Sequence, residues 1–307
     1  MKISTHLLFD RASAQMNTIQ SNLTQTQTQL ATGKQVINAS DAPDQVATIQ
    51  RMSSLINRQE SYKSSLTSVQ IRLESEDSTL QNVTDLLIRA KEVAVHAAND
   101  TLSADNRKAL GIEMQALRDQ VLNLANSKDN NGNYIFSGSR VKQLPFGGLT
   151  SASPSYQGDQ TKMFVRVSEQ LSIPLNRPGT DAFRSLNRSE PDGTVNGVGF
   201  FQVLDDLVAG INQSKSANIT RGVGELDKLL EGVTLSHADV GTNLNVIDQQ
   251  AAVIDDSILN LKSTLSNIED LDFASAITKM NQQILSLQAA QSSFAKISQL
   301  NLFEYIR

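Results

Sequence analysis

The sequence predicts a mainly α protein with a β insert, in which both chain ends form an elongated antiparallel coiled-coil or helical shaft and a small β domain lies in the middle. Near both ends of the chain, apolar residues recur at alternating steps of three and four, which is the spacing of a coiled-coil seam. Between residues 139 and 198 the period changes to two, and Gly and Pro become frequent. Only 39% of the 307 residues are hydrophobic and Trp is absent, so a large globular core is not expected.

The two terminal seams are the candidate assembly interface. Each stripe is too narrow to bury its apolar residues alone, so each needs a second helix against it, and the other chain end can supply one. The first helix is expected from about Thr5 to Ala31, with Gly33 at its C-terminal cap. The candidate interface residues are Phe9, Met16, Ile19, Leu23 and Leu30 near the start, with Phe273, Ile277, Met280, Ile284, Leu287, Phe294 and Ile297 near the end.

Two long helices are predicted between the terminal segments. The first runs from about Asp44 to Ala98, with Pro43 in its first turn, and would measure roughly 80 Å at 1.5 Å per residue. Ser40 or Asp41 is expected to cap it, and a shorter helix opens at Ser103 or Asp105. The second long helix covers about 218–267, and its register breaks before Phe273. We therefore expect a joint at 269–272, opposite a first joint at 33–40.

The middle of the chain carries strand and turn signals. The run Asn130–Asn133 predicts a turn, with a strand beginning at Tyr134–Phe136. Alternating apolar residues predict two further strands, and Pro174 places the second at a sheet edge. Helix is expected to resume near Gly199. The alternating residues are Thr161, Met163, Val165 and Val167, then Leu171, Ile173 and Leu175.

The chain is accordingly divided into three parts. The prediction is a terminal coiled-coil assembly domain (1–40 plus 272–307), a helical shaft domain with a hairpin (41–138 plus 199–271), and a small β-rich outer domain (139–198). The element order is close to a palindrome, so folding at the β insert brings the two ends together. That layout is typical of a self-assembling axial subunit.

Composition excludes several classes of function. The chain has no Cys, so it can form neither a disulfide framework nor a cysteine-ligated metal site. The net charge is −5 and no run of Lys or Arg forms a stripe, which argues against nucleic-acid binding. No window approaches the ~18 apolar residues of a membrane span, so membrane insertion is not expected. The N-terminal apolar stretch is too short for a signal peptide, so export would occur without a cleaved signal.

No catalytic constellation is found. His6, His96 and His237 lie in different predicted elements, and none has a second ligand at metal-binding spacing. Clusters of acidic residues, such as Glu74, Glu76 and Asp77, lack the pattern of a calcium loop and are interpreted as solvated faces or salt bridges between subunits. The prediction is a protein that is not an enzyme and has no catalytic residue, metal site or cofactor.

Several motifs, in the right order along the chain, resemble the flagellin superfamily and within it the hook–filament junction proteins, a group of hook-associated proteins. They cover both ends and the shaft, and one departs from the usual pattern, since Asp41-Ala42-Pro43 stands where the family has two adjacent acidic residues. The motifs are Lys2-Ile3-Ser4-Thr5, Leu30-Ala31-Thr32-Gly33-Lys34 with Ile37-Asn38, Gly132-Asn133-Tyr134-Ile135-Phe136-Ser137-Gly138, Tyr156-Gln157-Gly158-Asp159, and the ending from Ala295 to Ile306.

The resemblance implies a structural protein of bacterial motility. It implies secretion through the flagellar type III export channel and a place in the extracellular flagellum, as an adaptor layer between hook and filament. Its implied partners are further copies of itself, a hook-side junction protein, flagellin, the filament cap and an export chaperone.

Three alternatives stay open. Flagellin itself shares the architecture, although the junction-like start Lys2-Ile3-Ser4-Thr5 and the ending Leu302-Phe303-Glu304-Tyr305-Ile306 argue against it. A coiled-coil adhesin or secretion-tip protein would need an anchor or a signal. An enzyme would need a pocket with convergent titratable groups. From periodicity alone, terminal heptads also fit an ordinary helical hairpin within one chain.

Overall fold

The computed structural model describes residues 2–40, 42–147, 153–189 and 194–305, with side chains described between residues 7 and 296, except that of Leu8. The chain divides into two compact units, one made of residues 1–59 and 256–307 and the other of residues 60–255. The elements in chain order are α1 (Lys2–Thr32), α2 (Pro43–Ala97), α3 (Ala104–Ala125), β1 (Phe146–Gly147), β2 (Ser155–Tyr156), β3 (Phe164–Arg166), β4 (Ser172–Pro174), α4 (Gly179–Ala182), β5 (Leu186–Ser189), β6 (Val195–Val198), α5 (Phe200–Asn212), α6 (Ser216–Glu269) and α7 (Phe273–Tyr305).

Local signals place the helix ends. Pro43 is the first residue of α2, where its missing N–H leaves no hydrogen bond unmade. Ser103 caps α3, since its side chain accepts a hydrogen bond from the Asn106 backbone N–H at 3.3 Å. Gly33 follows α1 with φ of +70°, the left-handed conformation that ends a helix. These three predictions are confirmed. Asp41, which was predicted together with Ser40 as a possible cap of α2, lies outside the described residues.

In the unit made of residues 60–255, the buried apolar side chains of α2 form the core together with those of α3, α5 and α6. On α3 the buried apolar side chains include Met114, Leu117 and Val121. The buried positions of α2 include Leu66, Val69, Leu73, Leu80, Val83, Leu87, Ala90, Ala94 and Ala97.

The β region contains three separate two-stranded antiparallel sheets among the described residues, β1 with β2, β3 with β4, and β5 with β6. β4 pairs with β3 alone, so the predicted edge position of Pro174 is confirmed. The strands are shorter than predicted, and β3 contains only 164–166.

The strand predicted at Tyr134–Phe136 is absent, and what forms there is a single antiparallel bridge between Tyr134 and Lys128, across the predicted turn. The Tyr134 N–H donates to the Val141 carbonyl at 2.8 Å, and the Ile135 N–H donates to the Ser127 carbonyl at 3.1 Å, so consecutive residues bond to different segments. Gly138, at φ of +70°, then turns the chain away. The turn signal before Tyr134 predicted a strand, but residues 135–138 form a buried connection instead.

A cluster of aromatic rings fills the base of the β region. The Phe146 ring lies 5.1 Å from that of Phe201 and 5.4 Å from that of Phe183, in edge-to-face geometry. Such pairs are stabilising beyond the area they bury. The cluster joins the start of α5 to β1 and to Phe183, the residue that follows α4.

Arg177, which follows β4, ties the β region to α2. Arg177 bonds to Glu76 of α2 at 2.6 Å, and Glu76 is buried. Burial raises the pKa of this carboxyl, and the charge of Arg177 opposes the shift. The interpretation of Glu76 as a solvated residue or a salt bridge between subunits is therefore wrong. The same acidic cluster pairs Asp77 with His237 at 3.0 Å, while Glu74 is exposed.

Candidate assembly surface

The two ends of the chain lie side by side as the antiparallel helices α1 and α7. The ring centroids of Phe9 and Phe294 are 4.7 Å apart, and beyond the other end of the pair Lys34 forms an antiparallel bridge with Asp270. These two contacts set one register for the whole pair. The register places predicted seam residues level with each other: Met16 with Leu287, Ile19 with Ile284, Leu23 with Met280, and Leu30 with Phe273.

The predicted seam residues are only partly covered in the single chain. Of the residues that the register pairs with one another, all except Phe273 are half-buried. Phe294 is half-buried as well. Phe273 and Ile277, in contrast, are 51% and 46% exposed, and Phe9 is also exposed. The Ile297 side chain lies outside the described residues. The assignment of this set to an interface between subunits stays a prediction.

The most buried side chains of this helix pair, among those described, are small or polar. Thr26 of α1 is 2% exposed and Ala276 of α7 is 5% exposed, whereas the candidate list contains neither. Thr26 belongs to the apolar series by spacing. Ala276 and Ile277 both fit a step of three or four after Phe273, and only the register of the folded pair selects Ala276.

The joints at the ends of α1 and α6 lie side by side, as predicted. The Gln35 N–H donates to the Glu269 carbonyl at 2.7 Å, and the Leu271 N–H donates to the Gly33 carbonyl at 3.0 Å. Lys34 and Glu269 add an ion pair. The two chain reversals are thus joined by backbone hydrogen bonds, which fix where the helix pair begins.

Replacing Gly33 with Ala is expected to weaken the joint by about 1 kcal/mol, because an L-residue is strained at positive φ. A Cβ at this position would lie 3.6 Å from the Phe273 ring, which is an ordinary contact, so backbone strain is the main cost. Hydrogen exchange at the Gln35 and Leu271 amides should become about fivefold faster. Unchanged exchange at both amides would contradict this prediction.

Asp272 caps the start of α7. It accepts hydrogen bonds from the Ser275 hydroxyl at 2.6 Å and from the Ala274 N–H at 3.0 Å. These bonds lower the pKa of Asp272, with the Ser275 hydroxyl as the largest cause. Because the folded pKa lies below the ordinary value, the cap stabilises fully above the ordinary pKa and loses its effect as pH falls through the lowered one.

The pH dependence of this cap is testable by NMR. The Ala274 and Ser275 amide shifts should titrate together with the Asp272 carboxyl, at a pH below the ordinary range of aspartate. In Asp272→Asn, the shifts should stop titrating while the helix start persists, because Asn is also a good cap. Titration that continues in the Asn variant would assign the effect to another group.

Sequence comparison identifies both helical ends. The family model of the bacterial flagellin N-terminal helical region matches residues 3–141, and that of the C-terminal helical region matches residues 223–306. The chain belongs to the flagellin family. The N-terminal match takes in α1, α2 and α3, the C-terminal match takes in most of α6 and α7, and the greater part of the β region lies between them.

Among members of the flagellin family, this chain is similar to hook-associated proteins along its whole length. It is 29% identical to flagellar hook-associated protein 3 of Salmonella typhimurium, with 100% of both chains covered, and 29% identical to that of Escherichia coli, with 99% of both covered. Identity to the flagellin of Listeria monocytogenes is 22%, with 98% and 96% covered. The fold is similar to that of hook-associated protein 3 from Legionella pneumophila, at a TM-score of 0.64 and 19% identity, covering 72% of this chain and 98% of that one.

Members of the flagellin family are structural proteins of the flagellum, not enzymes. Within the described ranges, no group of three or more His, Asp or Glu side chains is placed to hold a metal ion. The helices of the described part are all too short or too polar to span a membrane.

Proposed function

We propose that this protein forms the adaptor layer at the hook–filament junction of a bacterial flagellum and assembles through its terminal helices. The observation that carries the proposal is the alignment with hook-associated protein 3 over the whole of both chains, at higher identity than the alignment with flagellin. A match of both ends matters because the ends of this chain form the helix pair proposed to assemble.

The geometry of the terminal pair supports assembly. A single pair leaves its seam half-buried, and apolar side chains remain on its surface, including Phe273, Ile277 and Leu285. Exposed apolar surface of this kind is typical of protein–protein contacts. Packing against further helices would remove it from water, so the first proposed partner is a second copy of the chain.

Two more specific proposals concern the partners of this protein and its location. An adaptor layer contacts a hook-side junction protein on one side and flagellin and the filament cap on the other, and an export chaperone would hold the subunit before secretion. We propose that the protein reaches the extracellular flagellum through the flagellar export channel without a cleaved signal.

A deletion strain of the source bacterium tests the proposed role. Without the adaptor layer, flagellin cannot attach to the hook, so cells should lose swimming and flagellin should appear in the culture medium. A plasmid copy should restore both. A deletion strain that still carries normal filaments would overturn the junction role.

Flagellin is the second candidate, because its relatives also align over most of the chain. A filament subunit has a surface complementary to itself in a contact that does not close, whereas an adaptor must stop growing. Purified protein should therefore add to hooks that already carry a junction layer and not extend further. Long filaments made of this protein alone, seen by electron microscopy, would favour flagellin.

A further inference from the structure

The seam between α1 and α7 holds a buried polar atom without a partner. Gln283 of α7 is half-buried, and its Oε1 is buried with no hydrogen-bond donor among the described residues. The register of the pair puts Gln283 level with Gln20, next to the apolar pair Ile19 and Ile284. An unsatisfied buried acceptor loses its bonds to water and gains none in return, so it destabilises the packing around it.

The threonine hydroxyls of α1 donate within their own helix. Five of them donate to the carbonyl four residues earlier, and of these only Thr26 is buried in the pair. Such back-bonding slightly destabilises a helix. The five are Thr18, Thr24, Thr26, Thr28 and Thr32. The pair is thus held by half-buried apolar contacts, with Thr26 and Ala276 at its best-covered level.

A buried polar residue in a helix seam is a known device for controlling pairing at the expense of stability. We propose that Gln283 is a specificity-determining residue that keeps the α1–α7 pair weak in the free subunit, so that both helices can repack against a second copy of the chain. This inference rests on the proposed function, because it assumes that the terminal helices assemble. A leucine at this position would instead close the pair within one chain.

Hydrogen exchange on the purified full-length protein tests the first half of the inference. In Gln283→Leu, amides of α1 and α7 should exchange about tenfold more slowly, because the unsatisfied acceptor is replaced by apolar packing. Gln282→Leu is the matched control, since Gln282 is exposed, and it should leave exchange unchanged. Gln283→Ala, which removes the amide without adding bulk, should also exchange no faster than the wild type.

The second half of the inference, repacking on assembly, is tested by adding the protein to isolated hooks. The hooks come from the deletion strain and carry the hook-side junction layer. Gln283→Leu should bind several-fold less than the wild type, counted by electron microscopy with a labelled subunit. Equal exchange in Gln283→Leu and the wild type, or slower exchange with undiminished binding, would overturn the inference and leave the proposed function standing. If the wild-type protein does not bind hooks, the proposed function is overturned. The link between the stability of the α1–α7 pair and assembly is then overturned as well.

Discussion

Replacing Leu23 or Ile284 with Asp should abolish swimming while the unit made of residues 60–255 stays folded. Both side chains are half-buried in the α1–α7 seam, and assembly is proposed to cover them further. Placing a carboxylate in an apolar helix interface costs several kcal/mol, which exceeds what a narrow seam can offset. The core of residues 60–255 contains neither position, so its circular dichroism and thermal unfolding should change little.

A second substitution separates the seam from the surface of α1. Gln25 is exposed on α1, two residues from Leu23, so Gln25→Asp adds the same charge outside the seam of the pair. That strain should keep swimming. If Leu23→Asp swims like the wild type, or if both variants fail alike, the seam is not the deciding contact.

Replacing Arg188 with Met should destabilise the unit made of residues 60–255 by about 3–5 kcal/mol, the range for breaking a buried ion pair. The Arg188 guanidinium forms two bonds with Glu225, at 2.6 and 2.7 Å, and a third with Asp206 at 2.6 Å. The Arg188 and Glu225 side chains are only 9% and 8% exposed. Methionine fills similar volume but removes both short bonds to the buried Glu225 carboxylate, whose other cation, Arg221, lies 3.9 Å away.

Urea unfolding, followed by circular dichroism, measures this loss. Arg89→Met is the matched control, because Arg89 pairs with Glu92 and Glu113 at the surface, where such pairs contribute about 0–1 kcal/mol. The double variant Arg188→Met with Glu225→Leu should recover much of the stability, since it also removes the buried carboxylate that Arg188 no longer bonds. A loss in Arg188→Met no larger than in Arg89→Met would mean that water reaches the Glu225 carboxylate.

The relation between sequence and fold differs from one feature to another. Helix ends were predictable because their signals are local: Pro43 starts a helix, Ser103 caps one, and Gly33 ends one through its own backbone conformation. The two joints were also predictable, since Gly33 ends the helix before the first and a break in apolar spacing marks the second. The seam residues followed from the same spacing, and the antiparallel register brings most of them level with each other.

Two expectations failed for different reasons. Tyr134–Phe136 follows a turn signal and is apolar, which predicted a strand, but the Tyr134 and Ile135 N–H groups bond to two different segments. Glu76 belongs to an acidic run that looks solvated, yet it is buried because Arg177, far away in the sequence, bonds to it. Arg177 lies 101 positions from Glu76, so no local pattern specifies this partner.

The sequence by itself therefore determined the helices, their joints, the family and the stripe on each terminal helix, because spacing and caps act within a few residues. Only the tertiary structure decided which residues the stripe buries. Ala276 is covered while Ile277 is exposed, and Gln283 places in the seam an oxygen that no described residue bonds. Those outcomes depend on the rotation of one helix against another, which is set by contacts between residues more than 200 positions apart.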